Sequence, residues 1–301
     1  MTKVKKSIAI ILSITLIAIG AGIYFSSNSK QSNKITITAS YYPLYDFAKN
    51  IGGDKVEVTN ITPAGSEPHD FEPSAKQLAS AYQSDIFIYN GAALEPWAND
   101  FLKDYKNTIV KSSNNIDLIK LAENNNLHDP HFWVDPVAAT KIVDNILSGL
   151  VKTSPENKAY FTSNANTYKD KLAALDKSFK DGLSLCQTDM AITSHEAFSY
   201  LSKRYKINLL SISGIDPSVE PDASKLAEIS DLAKSKGIKY IFFESLVSPK
   251  LAETIASETG AKTAVLDPIE GLSEEDQQKG DNYVKVQQRN LQNLKTALEC
   301  K

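Results

Sequence analysis

Four histidines occur in the 301 residues, and three of them stand in stiff inter-element segments of a kind that can hold an ion, two of these acid-rich. His69 lies in Glu67-Pro68-His69-Asp70-Phe71-Glu72-Pro73, and His131 in Asp129-Pro130-His131-Phe132-Trp133-Val134-Asp135-Pro136. His195 follows Ser194 just past a short β-rich run, and Glu244 and Asp267 stand at the ends of two more. Proline fixes its own φ and restricts the residue before it, so the two flanked loops are stiff. Imidazole nitrogens with one carboxylate make a donor set suited to a borderline divalent ion such as Zn²⁺. Taken singly, each histidine reads as a solvated or capping residue, and Glu244 as a cap or an ion-pair partner. The metal reading rests on the set. The fourth histidine, His128, follows Asn124-Asn125-Asn126 in a polar stretch and is expected to be exposed.

The elements that must position these groups alternate between strand and helix. Short β-rich runs at 35–39, 56–59, 86–89, 191–193, 209–211, 240–243 and 264–266 are separated by helical patterns, which predicts an α/β fold with parallel sheets. Asp135-Pro136 supplies a helix start, as do Ser154-Pro155 and Ser248-Pro249, while Gly237 and Gly260 supply stops. After Ser154, Phe161, Ala165, Tyr168, Leu172, Leu175, Phe179 and Leu183 recur at steps of three and four. A helix over 154–183 is longer than an ordinary crossover inside one small sheet. It predicts a rigid connection between two α/β lobes, against the competing reading of a coiled-coil partner helix. The expected organisation is a signal or anchor helix and linker at 1–33, a first lobe at 34–153, the linking helix at 154–183 and a second lobe at 184–301. In open parallel sheets ligands bind beyond the C-terminal strand ends, which is where His195, Glu244 and Asp267 stand.

Composition narrows the class. With 42% hydrophobic and 23% charged residues the chain is globular, and a net charge of −3 leaves no basic excess for nucleic acid. Lys3, Lys5 and Lys6 precede an apolar run at 8–25, with a polar stretch after it. This pattern is an export signal or a minimal membrane anchor, and an uncleaved anchor is expected. No cysteine follows the run, which excludes lipid attachment there. The rest of the chain is expected outside the cytoplasm. Cys186 and Cys300 are the two cysteines; one bridge is the natural reading in an oxidising compartment, and two unrelated buried thiols are the alternative.

The motifs together resemble a known family, the metal-binding solute-binding proteins of zinc and manganese ATP-binding-cassette (ABC) importers. The carrying residues are Pro68-His69-Asp70-Phe71-Glu72-Pro73-Ser74, the segment from Asp129 through Pro136, Thr193-Ser194-His195-Glu196-Ala197-Phe198, Phe243-Glu244 and Leu266-Asp267-Pro268 with Glu270-Gly271-Leu272. They occur in the family's order and spacing from about residue 35 to the C-terminus. The resemblance implies one metal held in an interlobe cleft by His69, His131, His195 and Asp267. It also implies delivery by a monomer to an ABC permease and its cytoplasmic ATPase. Gram-positive members of the family usually carry a lipidated cysteine, which this chain lacks after its apolar run, so the N-terminal helix is the expected tether. Some family members carry cysteines near the positions of Cys186 and Cys300. The His-rich loop of many zinc receptors is lacking here: residues 112–127 contain no histidine.

Zn²⁺ is the expected cargo, because three imidazoles make a nitrogen-rich site and zinc stands above manganese in intrinsic affinity. A manganese receptor of the same kind and a metal-containing surface adhesin are the alternatives. A zinc hydrolase is disfavoured, since position 199 is Ser and His195-Glu196 therefore does not begin a metalloprotease helix motif. No enzymatic activity is expected.

Overall fold

The computed structural model describes residues 34–121 and 126–301. Its first sheet joins β1 (Ile35–Ala39), β2 (Val56–Asn60), β3 (Ile86–Tyr89) and β4 (Thr108–Lys111) in the order β2-β1-β3-β4. Its second joins β5 (Met190–Thr193), β6 (Asn208–Ser211), β7 (Tyr240–Phe243) and β8 (Lys262–Val265) in the order β6-β5-β7-β8. Every pairing is parallel, as expected, and the two lobes share one strand order. β4 is not among the strands expected from the sequence. It is a short edge strand with two apolar residues, of which Ile109 faces solvent at 42% exposure, so neither a buried run nor a long alternation announces it.

The first lobe carries α1 (Tyr42–Gly52), α2 (Ala75–Tyr82), α3 (Ala98–Asp104) and α4 (Pro136–Thr153). At the start of α4 the Asp135 side chain accepts the Val137 N–H and Pro136 occupies the first turn, where no amide donor is needed. A single 3₁₀ turn, Pro155–Asn157, then leads into α5 (Lys158–Gly182). This helix of 25 residues is roughly 37 Å long at 1.5 Å per residue. Its stripe of Phe161, Ala165, Tyr168, Leu172, Leu175 and Phe179 is buried within the chain itself, so the helix needs no coiled-coil partner to cover it.

The second lobe adds α6 (Ser199–Tyr205), α7 (Ala223–Lys236), α8 (Lys250–Thr259), α9 (Glu274–Gln278) and α10 (Tyr283–Ala297). Helices α7 and α8 stop at Gly237 and Gly260, both in the left-handed conformation that glycine adopts without a Cβ clash. The linking helix packs against α1 and α4 of the first lobe and α10 of the second, so it touches both lobes.

The lobes are also stitched directly. Trp133 Nε1 donates to the Pro268 carbonyl at 2.7 Å, Tyr283 Oη to the Trp133 carbonyl at 2.6 Å and Gln287 Nε2 to the Val134 carbonyl at 2.9 Å. Arg204 pairs with Asp135 across the same seam. Cys186 and Cys300 form a disulfide that staples the segment after α5 to the end of α10. Among the described residues no helix is long and apolar enough to cross a membrane. The apolar run at 8–25 lies outside them.

Candidate metal centre

The histidines reach the cleft from both lobes. His69 lies on the loop between β2 and α2, whose far end is fixed by a capping box of Ser74 and Gln77. His131 precedes a 3₁₀ turn, Phe132–Val134, that runs into α4. His195 stands two residues past β5, and Glu270 follows β8. Both sheets therefore present these groups from segments that follow their strands' C-terminal ends, as the parallel topology requires.

The side chains converge on one point. His69 Nε2 and His131 Nε2 are 3.1 Å apart, and His131 Nε2 and His195 Nε2 are 3.3 Å apart. Glu270 Oε1 lies 3.3 Å from His69 Nε2, 3.0 Å from His131 Nε2 and 3.3 Å from His195 Nε2. All four donor atoms fall within 4.8 Å of one another. A tetrahedron with metal–ligand bonds of ~2.0–2.1 Å has edges of roughly 3.3–3.4 Å, and the five separations of 3.0–3.3 Å given above are close to that spacing. His131, His195 and Glu270 are essentially sealed from solvent, while the His69 side chain is 8% exposed.

Two imidazoles are braced from behind. His131 Nδ1 meets Asp129 Oδ1 at 2.8 Å, and His195 Nδ1 meets Glu244 Oε1 at 2.6 Å. Each carboxylate fixes the tautomer that leaves Nε2 free to bind an ion and makes that nitrogen more basic. The charges follow from this packing. Burial pulls the His131 imidazolium down, but hydrogen bonds to Asp129 and Glu270 outweigh it and leave the pKa above the usual histidine range. Burial likewise opposes charge on His195, yet Glu244 and Glu270 raise it well above that range. For Glu270, burial is overcome by the facing His195, His131 and His69, which hold it well below the carboxylate range. Burial raises Glu67 to about 10, and the adjoining Glu270 carboxyl adds to the rise. Of this carboxyl pair, Glu270 is therefore the ionised member.

Three of the four expected ligands come together, and the fourth does not. Asp267 is buried, but it lies outside the converging group, whose carboxylate is Glu270. The oxygens of Asp267 are taken up by its own surroundings: Oδ1 accepts the Ile269 N–H at 2.6 Å and Oδ2 accepts the Ser245 hydroxyl at 2.6 Å. Glu244, the other acid considered, stands behind His195 and also accepts the Ser194 hydroxyl. His128 is half-buried, not exposed, because it bridges to Lys120 as an isolated antiparallel pair.

Glu270, Asp129 and Glu67 are the participants that sequence reasoning passed over. The first was in view, three residues beyond Asp267, and a signal separated the two: an Asp directly before Pro is a turn-forming residue that bonds its own backbone two residues on. Asp129, two residues before His131, could have been suspected from that spacing. For Glu67 no local signal exists, because its partner is 203 positions away in the chain.

Comparison with known proteins agrees with this geometry. Residues 37–297 match the family described as ZnuA, zinc-uptake complex component A, periplasmic. The zinc-binding lipoprotein AdcA of Streptococcus pneumoniae serotype 4 is 38% identical over 285 residues, which make up 89% of this chain and 57% of that relative. The high-affinity zinc uptake system protein ZnuA of Bacillus subtilis is 38% identical over 291 residues, covering 92% of this chain and 91% of that one. The crystal structure of the Zn(II)-bound ZnuA-like domain of S. pneumoniae AdcA superposes with a TM-score of 0.80 at 38% identity, covering 89% of this chain and all of that domain. This chain thus spans little more than half of AdcA and nearly all of the B. subtilis protein. By this match, which takes in both lobes, the chain belongs to the ZnuA family.

Proposed function

We propose that the chain is an extracytoplasmic zinc receptor that captures one Zn²⁺ between its lobes and hands it to an ABC permease driven by a cytoplasmic ATPase. The observation that carries this reading is the buried convergence of three imidazole nitrogens and one carboxylate oxygen, all within 4.8 Å of one another. The ligands are His69, His131, His195 and Glu270. Four protein donors fill a tetrahedron, whereas a hydrolytic zinc keeps one position for water, so the set favours holding an ion over catalysis. Similarity to proteins named for zinc binding and zinc uptake supports the same choice of cargo.

In this reading the lobes at 34–153 and 184–301 close on the ion about the helical segment 154–183, and a monomer suffices. Residues 1–33 tether the receptor to the membrane. Native protein then fractionates with membranes and begins at or near Met1; soluble protein starting between residues 20 and 33 would instead show a cleaved signal.

Titration of the metal-free chain, prepared without affinity-tag histidines, tests the receptor. One Zn²⁺ per chain is expected, with Mn²⁺ displaced by Zn²⁺ in competition. Manganese binding as tight as zinc would overturn the choice of ion, and failure to bind either would overturn the receptor.

A further inference from the structure

Ile269, the residue before Glu270, has φ of +63° and is fully buried. A β-branched residue in the left-handed region is a genuine outlier, and it persists only where the surroundings over-determine it. The surroundings here are specific. Asp267 Oδ1 accepts the Ile269 N–H at 2.6 Å, closing a turn over Pro268. Asp267 is itself clamped: its Oδ2 takes the Ser245 hydroxyl, its N–H donates to Asn290 Oδ1 at 2.9 Å, and its carbonyl accepts Asn290 Nδ2 at 2.6 Å. Trp133 of the first lobe holds the Pro268 carbonyl, and the Leu272 carbonyl accepts the Gly65 N–H at 3.1 Å. Glu270 thus projects from a segment pinned on both sides, and its direction is set by the φ of the residue before it. With Ile269 in an ordinary negative-φ well, the chain beyond would turn away and Glu270 Oε1 would leave the three imidazoles.

We propose that Asp267 is a positioning residue for the ion: its carboxylate holds Ile269 in the left-handed conformation and so aims Glu270 at His69, His131 and His195. The inference rests on the zinc-receptor reading above. It gives Asp267 a function in metal binding without contact with the metal, and it makes the turn at 267–269 the determinant of the fourth ligand.

The test compares Asp267→Ala, Asp267→Asn, Ile269→Gly and the Asp267→Ala/Ile269→Gly pair in the full chain. Zn²⁺ affinity is read by chelator competition and coordination by the visible spectrum of bound Co²⁺. Wild type that binds no zinc would sink the receptor reading itself, which separates that failure from this one. Asp267→Ala is expected to lose roughly 10–100-fold in affinity, the usual cost of removing a residue that orients a ligand, and to weaken the tetrahedral cobalt bands. Asp267→Asn keeps an oxygen acceptor for the Ile269 N–H and should restore most of the loss. Glycine enters the left-handed region without strain, so in the Ile269→Gly background removing Asp267 should cost less than about threefold. Should Asp267→Ala not fold, Asp267→Glu keeps the charge but moves the oxygen out of register with the Ile269 N–H, and must lose affinity likewise. Unchanged affinity in Asp267→Ala, or in Asp267→Glu if it takes that place, overturns the proposal. So does a loss in Asp267→Asn equal to that in Asp267→Ala, which would mark the carboxylate as a ligand, and so does an undiminished loss in the glycine background.

Discussion

His131 and His195 are held in a different way from His69. Behind each of the first two stands a buried carboxylate on Nδ1, and each of these acids has a second donor: Asp129 also accepts the His131 N–H, and Glu244 also accepts the Ser194 hydroxyl. Among the described residues the hydrogen-bond partners of the His69 side chain are other members of the site, His131 and Glu270, both met through Nε2. Its loop has no helix or strand between β2 and α2, and it is the most exposed of the three. The site thus has a braced half, His131 and His195, and an unbraced half, His69. In the proposed receptor His131 and His195, one from each lobe, would fix where the ion sits, and His69 would complete the site from its more exposed side.

The largest effect should come from the braced half. His195→Ala and His131→Ala are each expected to lower zinc affinity by more than the roughly 10–100-fold that loss of a supporting carboxylate costs, and by more than His69→Ala does. Equal losses in all three variants, measured by chelator competition, would erase the distinction between the halves.

Removing a brace without removing a ligand sharpens it. Glu244→Gln and Asp129→Asn should each weaken zinc binding by roughly 10–100-fold, chiefly through faster release in stopped-flow exchange. Wild-type release rates in these variants would show that the carboxylates support the fold and not the ion.

Acid should act through the same pair. Both His131 and His195 have raised pKa values in the metal-free chain, because the facing acids outweigh burial, and each must lose its proton to bind an ion. Proton competition is absent well above those raised values and grows as pH falls through them. Zinc affinity should therefore begin to fall above the ordinary imidazole range near ~6.5. With Glu244→Gln one cause of the rise at His195 is gone, so the onset should move to lower pH. An onset unchanged by that substitution would remove Glu244 from the account.

The smallest effects on binding are expected far from both halves. His128→Ala should leave zinc affinity within about twofold, since His128 bridges to Lys120 and is not among the converging groups. Cys186→Ser should do likewise while lowering thermal stability: the bridge closes a separation of 114 residues, worth ~4 to 5 kcal/mol in the chain-entropy model. A tight-binding variant that melts as wild type would show that the bridge adds nothing to stability.

Much of this arrangement was legible in the chain. The three histidines stood out because the chain has only four and because prolines stiffen two of their loops. The buried stripe from Phe161 to Phe179 revealed the linking helix, since a 3.6-residue period survives in sequence whatever packs against it. The carboxylate that joins the three imidazoles was not legible in the same way. Asp267 and Glu270 have the same chemistry and follow the same strand; that Glu270 joins the imidazoles goes with a positive φ at Ile269 and with bonds from Ser245, Asn290 and Trp133, three distant segments no local pattern announces. β4 was missed for a related reason, because an edge strand with one buried residue draws its order from β3 and not from its own pattern.

In the proposed receptor one ion is held by His69, His131, His195 and Glu270. Zinc-edge X-ray absorption on the chain loaded with one equivalent of Zn²⁺ tests it most directly. The account predicts three imidazole nitrogens and one carboxylate oxygen at ~2.0–2.1 Å, with the oxygen shell altered in Glu270→Gln and the imidazole shell preserved. An oxygen-rich shell of five or six ligands, or a spectrum that Glu270→Gln leaves unchanged, would contradict it.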